Sequence, residues 1–391
     1  MSMKKILFVI DNLSTGGVNS SLSAVYSHIN KIYNIKVFAL THDGYSNTHH
    51  EFDNAIIPRN RIVDAYQCEI SRSSSFIDKS FKSLIKLIKR IALLFKIDLR
   101  RMIFRRISSG IEADYIFDYV IAFQEGPSTE FAKYFTRGAK IAWIHSDYTK
   151  SHPDSIAAEY NTFEKLVFVS KYTLSQFKHK YPDIAKPLFS IHNYIDYNRI
   201  DILSKEDIDD ARFNNSDFTI ISIGRIVPLK QFSKIPMIAR KLLDKGMVFH
   251  WYILGPICDK TEYVTLENNI LAYNCNDVVV CLDNKANPYP YLRASNVFVS
   301  LSTTEACPMV FNEARLLKVP ICTNNFGSAN EFIDHERNGL IGTIENLADL
   351  IFRLFIDERL RDRIINSNFN CIDNNEEITR SIKYILDQYE S

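Results

Sequence analysis

The strongest constraint in this chain is a set of short, unbroken apolar runs, rich in β-branched and aromatic residues, each stopped by turn residues. Ile6-Leu7-Phe8-Val9-Ile10 ends at Asp11-Asn12, Phe218 to Ile223 at Gly224-Arg225, and Phe249 to Leu254 at Gly255-Pro256. A strand with one face in water alternates apolar and polar residues. These runs do not alternate, so they predict strands buried on both faces, as in a parallel sheet covered by helices. Ile35 to Leu40, Tyr119 to Phe123, Ala139 to Ile144 and Lys165 to Val169 continue the series, as do Val278 to Leu282 and Val297 to Leu301. Helix-period segments lie between them, one reaching about Ile29 and another from Ile235 to Lys245.

The grammar starts twice, so the fold class is α/β with two Rossmann-like domains, 1–193 and 194–370, and a C-terminal helix in 371–391 that can pack back on the first. The boundary falls within 190–216, beside a polar stretch from Ser204 to Ser216. Asp207-Ile208-Asp209 in that stretch has the form of a metal-binding D-x-D, but no strand end precedes it to hold the pair rigid, so it is read as solvated surface and no metal site is expected. Seven cysteines (68, 258, 275, 281, 307, 322, 371) form no C-x-x-C pair and predict reduced thiols. The opening MSMKKILFVID is too short in its apolar part for a signal peptide, and no run of about 18 uncharged apolar residues occurs. A cytoplasmic protein is the expectation.

Charge sharpens this. The net charge is +1, yet residues 1–200 hold 27 Lys+Arg against 19 Asp+Glu, a net of +8, and the remainder carries −7. Much of the excess sits in 79–106, with ten Lys/Arg, one acid (Asp98) and apolar residues spaced by three and four. That pattern predicts a helix or helix pair and favours contact with an anionic membrane surface. The alternative is an ordinary helix packing its apolar side on the sheet. Nucleic acid is not expected as a partner, because few aromatics and no known module accompany the cations.

Four places could carry chemistry. Gly16-Gly17 lies in the turn between the first strand and a helix, where free N–H groups and the helix dipole suit a phosphate or a sugar hydroxyl; a plain tight turn is the alternative. Gly224-Arg225 with Lys230 puts a guanidinium and an ammonium in one loop at the carboxyl edge of a strand, where open α/β sheets bind ligands and where a diphosphate can be neutralised. Glu305 and Glu313 straddle Cys307-Pro308-Met309-Val310 at a helix start, an arrangement able to receive a sugar phosphate; Cys307 itself reads as a loop thiol. Trp143-Ile144-His145-Ser146-Asp147 places an imidazole at a strand end.

In order along the chain, Gly16-Gly17, Trp143 to Asp147, Phe168-Val169-Ser170-Lys171, Ile191 to Asp196, Gly224-Arg225 with Lys230, Asn287 to Leu292 and the E-x7-E pair Glu305/Glu313 followed by Gly339-Leu340 resemble the retaining glycosyltransferases of family 4. The resemblance spans nearly the whole chain except about 45–115. It implies the GT-B fold, two Rossmann-like domains facing each other across a deep cleft, with a nucleotide-diphosphate sugar, UDP-linked in expectation, held by the C-terminal half. A glycan or lipid-linked acceptor would be held by the N-terminal half. By position, Arg225 and Lys230 would bind the diphosphate, Glu305 the hexose hydroxyls, the Met309 and Val310 amides beside Cys307-Pro308 the sugar and phosphate, and Glu313 the ribose. Gly16-Gly17 would approach phosphate or acceptor. His145 near the reacting sugar and Glu305 are the catalytic candidates. No cofactor or metal is implied, because the leaving phosphate assists deprotonation of the acceptor. Ala306-Cys307, Tyr194 and Pro256 depart from the usual residues. The role implied is hexose transfer in building a cell-surface polysaccharide, at the inner face of the membrane. The alternatives are a sugar-nucleotide epimerase of the same fold and a non-catalytic membrane-docking protein; neither oligomeric state nor sugar identity can be read from the residues.

Overall fold

The computed structural model describes residues 3–13, 16–41, 54–67, 76–146, 156–214, 217–369 and 375–387. The chain forms two compact units, Met1–Tyr194 with Glu376–Ser391, and Ile195–Asn375. The first contains β1 (Lys5–Asn12), α1 (Gly17–Ile29), β2 (Asn34–Thr41), α2 (Arg61–Gln67), α3 (Phe76–Leu94), α4 (Leu99–Asp114), β3 (Tyr119–Ala122), α5 (Pro127–Ala132), β4 (Ala139–Ile144), α6 (Ile156–Tyr160), β5 (Lys165–Phe168), α7 (Lys171–Lys180) and β6 (Leu188–Ser190). The second contains α8 (Tyr197–Leu203), β7 (Phe218–Ile223), α9 (Ile235–Asp244), β8 (Phe249–Leu254), α10 (Lys260–Ala272), β9 (Val279–Cys281), α11 (Tyr289–Arg293), β10 (Val297–Ser300), α12 (Met309–Leu316), β11 (Ile321–Asn324), α13 (Ala329–Phe332), β12 (Leu340–Gly342), α14 (Leu347–Ile356) and α15 (Glu358–Phe369). The last helix, α16 (Asn375–Asp387), runs almost wholly in the first unit.

Each unit holds one six-stranded sheet, ordered β2-β1-β3-β4-β5-β6 in the first and β12-β11-β10-β7-β8-β9 in the second. Every strand pair is parallel. Ile6 to Ile10 and Tyr119 to Ala122 are buried throughout, as unbroken apolar runs require. Strands β6 (LFS), β11 (ICTN) and β12 (LIG) offer only two consecutive apolar residues before Ser, Thr or Gly, too short a run to stand out in the sequence.

Sheet order decides where each unit opens. In the first sheet the chain moves one way from β1 to β2 and the other way from β1 to β3; in the second it reverses between β7 and β10. Loops leaving the two strands at such a switch point diverge to opposite faces, leaving a crevice at the carboxyl edge.

The two crossings of the chain are locally tied. The Asn375 side chain donates to the Ile195 carbonyl (2.8 Å) and accepts from its N–H (3.3 Å). Tyr194, one residue earlier, is buried against the His28 ring, centroids 4.7 Å apart, and its hydroxyl pairs with Thr379 of α16. Helix α16 buries Ile378, Ile382, Ile385 and Leu386. A small apolar space is lined by Ile382, Ile385 and Leu386 together with Phe8, Ile121 and Trp143 of the sheet. Its last carbonyls, which have no partner within the helix, accept from Lys165 Nζ at Ile385 and from Tyr119 Oη and Lys4 Nζ at Leu386. Lysines at a helix carboxyl end also suit its dipole. Truncating Ile382 to Ala should therefore destabilise the first unit by about 2–5 kcal/mol, read as a lower urea midpoint; a loss under ~0.5 kcal/mol would show that α16 contributes little to the first unit's stability.

Candidate functional site

The crevice of the second unit is shaped by two glycines. A β-carbon on Gly255, whose φ is +147°, would lie 1.9 Å from the Gly224 carbonyl oxygen, so the chain beyond β8 runs against the chain beyond β7 with no room for a side chain. Pairing continues past the strands: Gly224 N–H donates to Leu254 O (2.9 Å), Ile226 N–H to Pro256 O (2.9 Å), and Gly255 N–H to Asp283 O (2.9 Å). The loop carrying Arg225 is thereby fixed as an extension of the sheet. Arg225 is exposed and Ile226 buried beneath it. Substituting Gly255 with Ala should lower the melting temperature; unchanged melting would show that the loop does not depend on this contact.

Lys230, in a short turn closed by Gln231 in the left-handed conformation, folds its chain over Gly224. Its Nζ pairs with Glu305 Oε1. Glu305 leaves β10 on the facing loop, and three neighbours position it: Ser302 Oγ donates to the same carboxylate oxygen (2.7 Å), Ser328 Oγ to the Glu305 carbonyl (2.6 Å), and Asn324 Nδ2 to the Ser302 carbonyl (3.1 Å). Ser302 and Ser328 are buried. Cys307 and Pro308 are buried just ahead of α12, which Phe311 anchors against Phe298 and Phe326. The first N–H groups of any α-helix lack an intrahelical partner; here they belong to Met309 and Val310, both half-buried.

Glu313 stands on the next turn of α12. Burial pushes its carboxyl up to about 7, partly countered by a hydrogen bond from Tyr289. The Glu313 charge and then burial push the Tyr289 hydroxyl upward, so the phenol remains a donor. The two glutamates of the E-x7-E pair thus sit in unlike settings, one beside an ammonium and one beneath a phenol. The structure brings Gly224, Lys230 and Glu305 into contact, with Arg225 on the same loop and the Cys307–Val310 turn continuing from Glu305. It leaves Gly16, Gly17 and His145 in the other unit.

There, Gly16 and Gly17 open α1, exposed, with nothing within 4 Å of a β-carbon built on Gly16. The imidazole of His145 lies 4.6 Å from the Phe123 ring, and its N–H backbone donates to Glu125 Oε2 (2.9 Å). Burial holds it far below its usual range, at about 3, and Nε2 is buried with no hydrogen-bond partner. It is a neutral ring at neutral pH. Asp147 lies outside the described residues.

Three residues here, Asp11, Ser128 and Glu125, are not among those the sequence singles out. Asp11 at the end of β1 accepts from Ser128 Oγ of α5, bridging the switch point, and burial raises its carboxyl to about 6. Glu125 follows β3. A carboxylate after a buried strand was the available signal; that Ser128 meets Asp11 was not. Asp207-Ile208-Asp209 is loop, and Asp209 accepts from Tyr291 while Asp210 binds Lys285 (2.8 Å) and Arg212 (2.8 Å), so these acids brace the loop. Among the described residues no group of three or more His, Cys, Asp or Glu could hold a metal ion.

Residues 204–370 match the family model for glycosyl transferases group 1. A search of the curated proteins finds no match. Among solved structures, HepE of Anabaena in complex with UDP and glucose is similar with a TM-score of 0.74 at 16% identity, covering 98% of this chain and 100% of that one. TarM of S. aureus, in complex with UDP, Fondaparinux and alpha-GlcNAc-glycerol, gives 0.70 at 15%, covering 98% and 100%. A Rickettsia africae glycosyltransferase gives 0.70 at 17%, covering all of both chains. The fold is GT-B, and with the matched second-unit segment it supports a glycosyltransferase.

The protonation of Glu313 and Asp11 has a signed consequence. Folded carboxyls titrating near 7 and 6 hold more protons than their unfolded counterparts above pH 4.5, so their contribution to stability should fall as pH rises from about 4.5 to 7, opposed by His145, which is neutral when folded and protonates below about 6.5 when unfolded. Glu313→Gln should remove up to about 3 kcal/mol of that fall, leaving the opposed Asp11 and His145 parts. Urea midpoints across this range check it; an identical slope in the variant would contradict the assignment.

Proposed function

We propose that the protein transfers a hexose from a nucleotide-diphosphate sugar, UDP-linked, to a glycan or lipid-linked acceptor, with retention of configuration and without a metal. The observation that carries the reading is the cluster at the switch point of the second sheet: Lys230 over Gly224 and against Glu305, Arg225 exposed on the same loop, and the start of α12 following Glu305. The family match over 204–370, and the UDP bound in the HepE and TarM crystals, favour the same chemistry.

The residues divide the work. A departing diphosphate gains negative charge, and the Arg225 fork, the Lys230 ammonium and the Met309 and Val310 amides stabilise it more in the transition state than before. Glu305, oriented by Ser302, accepts from hexose hydroxyls; Glu313 accepts from the ribose, with Tyr289 yielding or sharing its bond. The leaving phosphate takes the acceptor proton on the face it vacates. In the first unit, His145, neutral, can donate or accept a hydrogen bond without adding charge, and Asp11, Glu125 and the Gly16-Gly17 turn offer groups for acceptor hydroxyls. The positive balance of the first half favours an acceptor borne at an anionic surface and supports reading the reaction as a step at the inner face of a membrane, in building a surface glycan.

A screen of nucleotide sugars for slow, acceptor-free hydrolysis should find one class of donor releasing UDP. Arg225→Ala and Glu305→Ala should each lower kcat/KM on that donor at least about 100-fold with unchanged melting temperature. Wild-type turnover in both variants would overturn the proposal, as would conversion of the donor to an epimer.

A further inference from the structure

Segment 79–106 is divided by the fold in a way its composition does not show. Helix α4 buries Phe104, Ile107 and Ile111 in the core of the first unit, where the Phe104 ring packs edge-on against Phe131 (5.2 Å). Helix α3 does the reverse. The side it turns to the protein, toward α2, holds Lys82, buried, the half-buried Ile85, and Ala92, with Lys89 Nζ 4.5 Å from the Tyr66 ring and Arg61 over the Phe81 ring. Its apolar stripe, Leu84, Leu87, Ile88 and Ile91, faces outward. The spacing of three and four that marks an amphipathic helix is therefore present with its sense inverted.

The stripe runs on into the turn between α3 and α4. Leu93, Leu94 and Phe95 are 79%, 81% and 73% exposed, and Ile97 50%. This turn is a built structure: Lys96 is left-handed, its N–H donates to Leu93 O (3.1 Å), the Ile97 N–H donates to Ala92 O (2.8 Å), and Asp98 caps α4 by accepting from Arg101 N–H (2.9 Å). Around the stripe and tip stand exposed Lys79, Lys86, Arg90, Lys96, Arg101, Arg105 and Arg106.

We infer that the α3–α4 hairpin docks on an anionic lipid bilayer, with Leu94 and Phe95 entering the acyl boundary and the surrounding cations meeting headgroups. Apolar surface of this extent needs a cover. A second copy would bring the same lysines and arginines face to face; a bilayer with acidic headgroups offers an apolar interior and opposite charge at once. The inference goes beyond the transfer reaction and does not depend on it.

Full-length protein should co-sediment with phosphatidylglycerol-containing vesicles and not with pure phosphatidylcholine. Leu94→Glu/Phe95→Glu should weaken that binding at least tenfold with the melting temperature unchanged, and Lys86→Glu/Arg90→Glu should do so most strongly at low salt. In Phe95→Trp, emission should shift to the blue on anionic vesicles alone, a readout that leaves the fold untouched. Undiminished binding in both charge-bearing variants, no emission shift, or a concentration-dependent dimer abolished by Leu94→Glu would overturn the inference, the last in favour of a second copy.

Discussion

The contact between the backbones of Gly224 and Gly255 is the constraint on which the second unit's chemistry depends. Two parallel strands ordinarily part at their carboxyl ends, and their loops are then free to wander. Here pairing persists through Gly224, Ile226 and Gly255 because Gly255 brings no side chain against the Gly224 carbonyl, and the loop emerges in register with the sheet. Lys230 lies across Gly224, and its ammonium reaches Glu305 on the loop after β10. Strand order supplies the rest, since β7 and β10 are neighbours whose connections leave in opposite directions. The first unit uses another device at the same topological position, a hydrogen bond from the Ser128 hydroxyl to the Asp11 carboxylate.

Pre-organisation recurs throughout the site. Lys230 and Glu305 satisfy each other, Ser302 fixes the carboxylate, and Ser328 with Asn324 fixes the backbone behind it. Donor and acceptor groups held in this way need little rearrangement when charge develops, which is where electrostatic stabilisation gains its effect. Glu305 and Glu313, identical side chains eight residues apart, sit in unlike surroundings: one has a cation at hand, and the other has a phenol and little water.

The long strands, the two-unit division and the loops bearing Arg225, Lys230 and Glu305 were legible because a strand buried on both faces leaves an unbroken apolar run and glycine marks its end. Strands β6, β11 and β12 were not, because each offers only two consecutive apolar residues before Ser, Thr or Gly. Tyr194 stands where a flexible linker residue was the family expectation; it is instead a buried ring between His28 and Thr379. Tyr289, Ser302 and Ser128 were invisible as site residues, since a hydroxyl becomes a positioning group only when folding brings it to a partner distant in sequence.

The amino-acid order by itself determined the kind of architecture, the sheet edge at which chemistry could occur, and the charge imbalance between the halves. These follow from local rules: periodicity, turn residues and counts. The tertiary structure alone decided which cations meet which carboxylates, that His145 is neutral, and that α3 presents its apolar stripe outward while burying Lys82. Helical spacing specifies a face and says nothing of the direction it looks, because that depends on which neighbour offers the helix a better surface. Here α2 offered Tyr66 to a lysine, and the leucines were left outside.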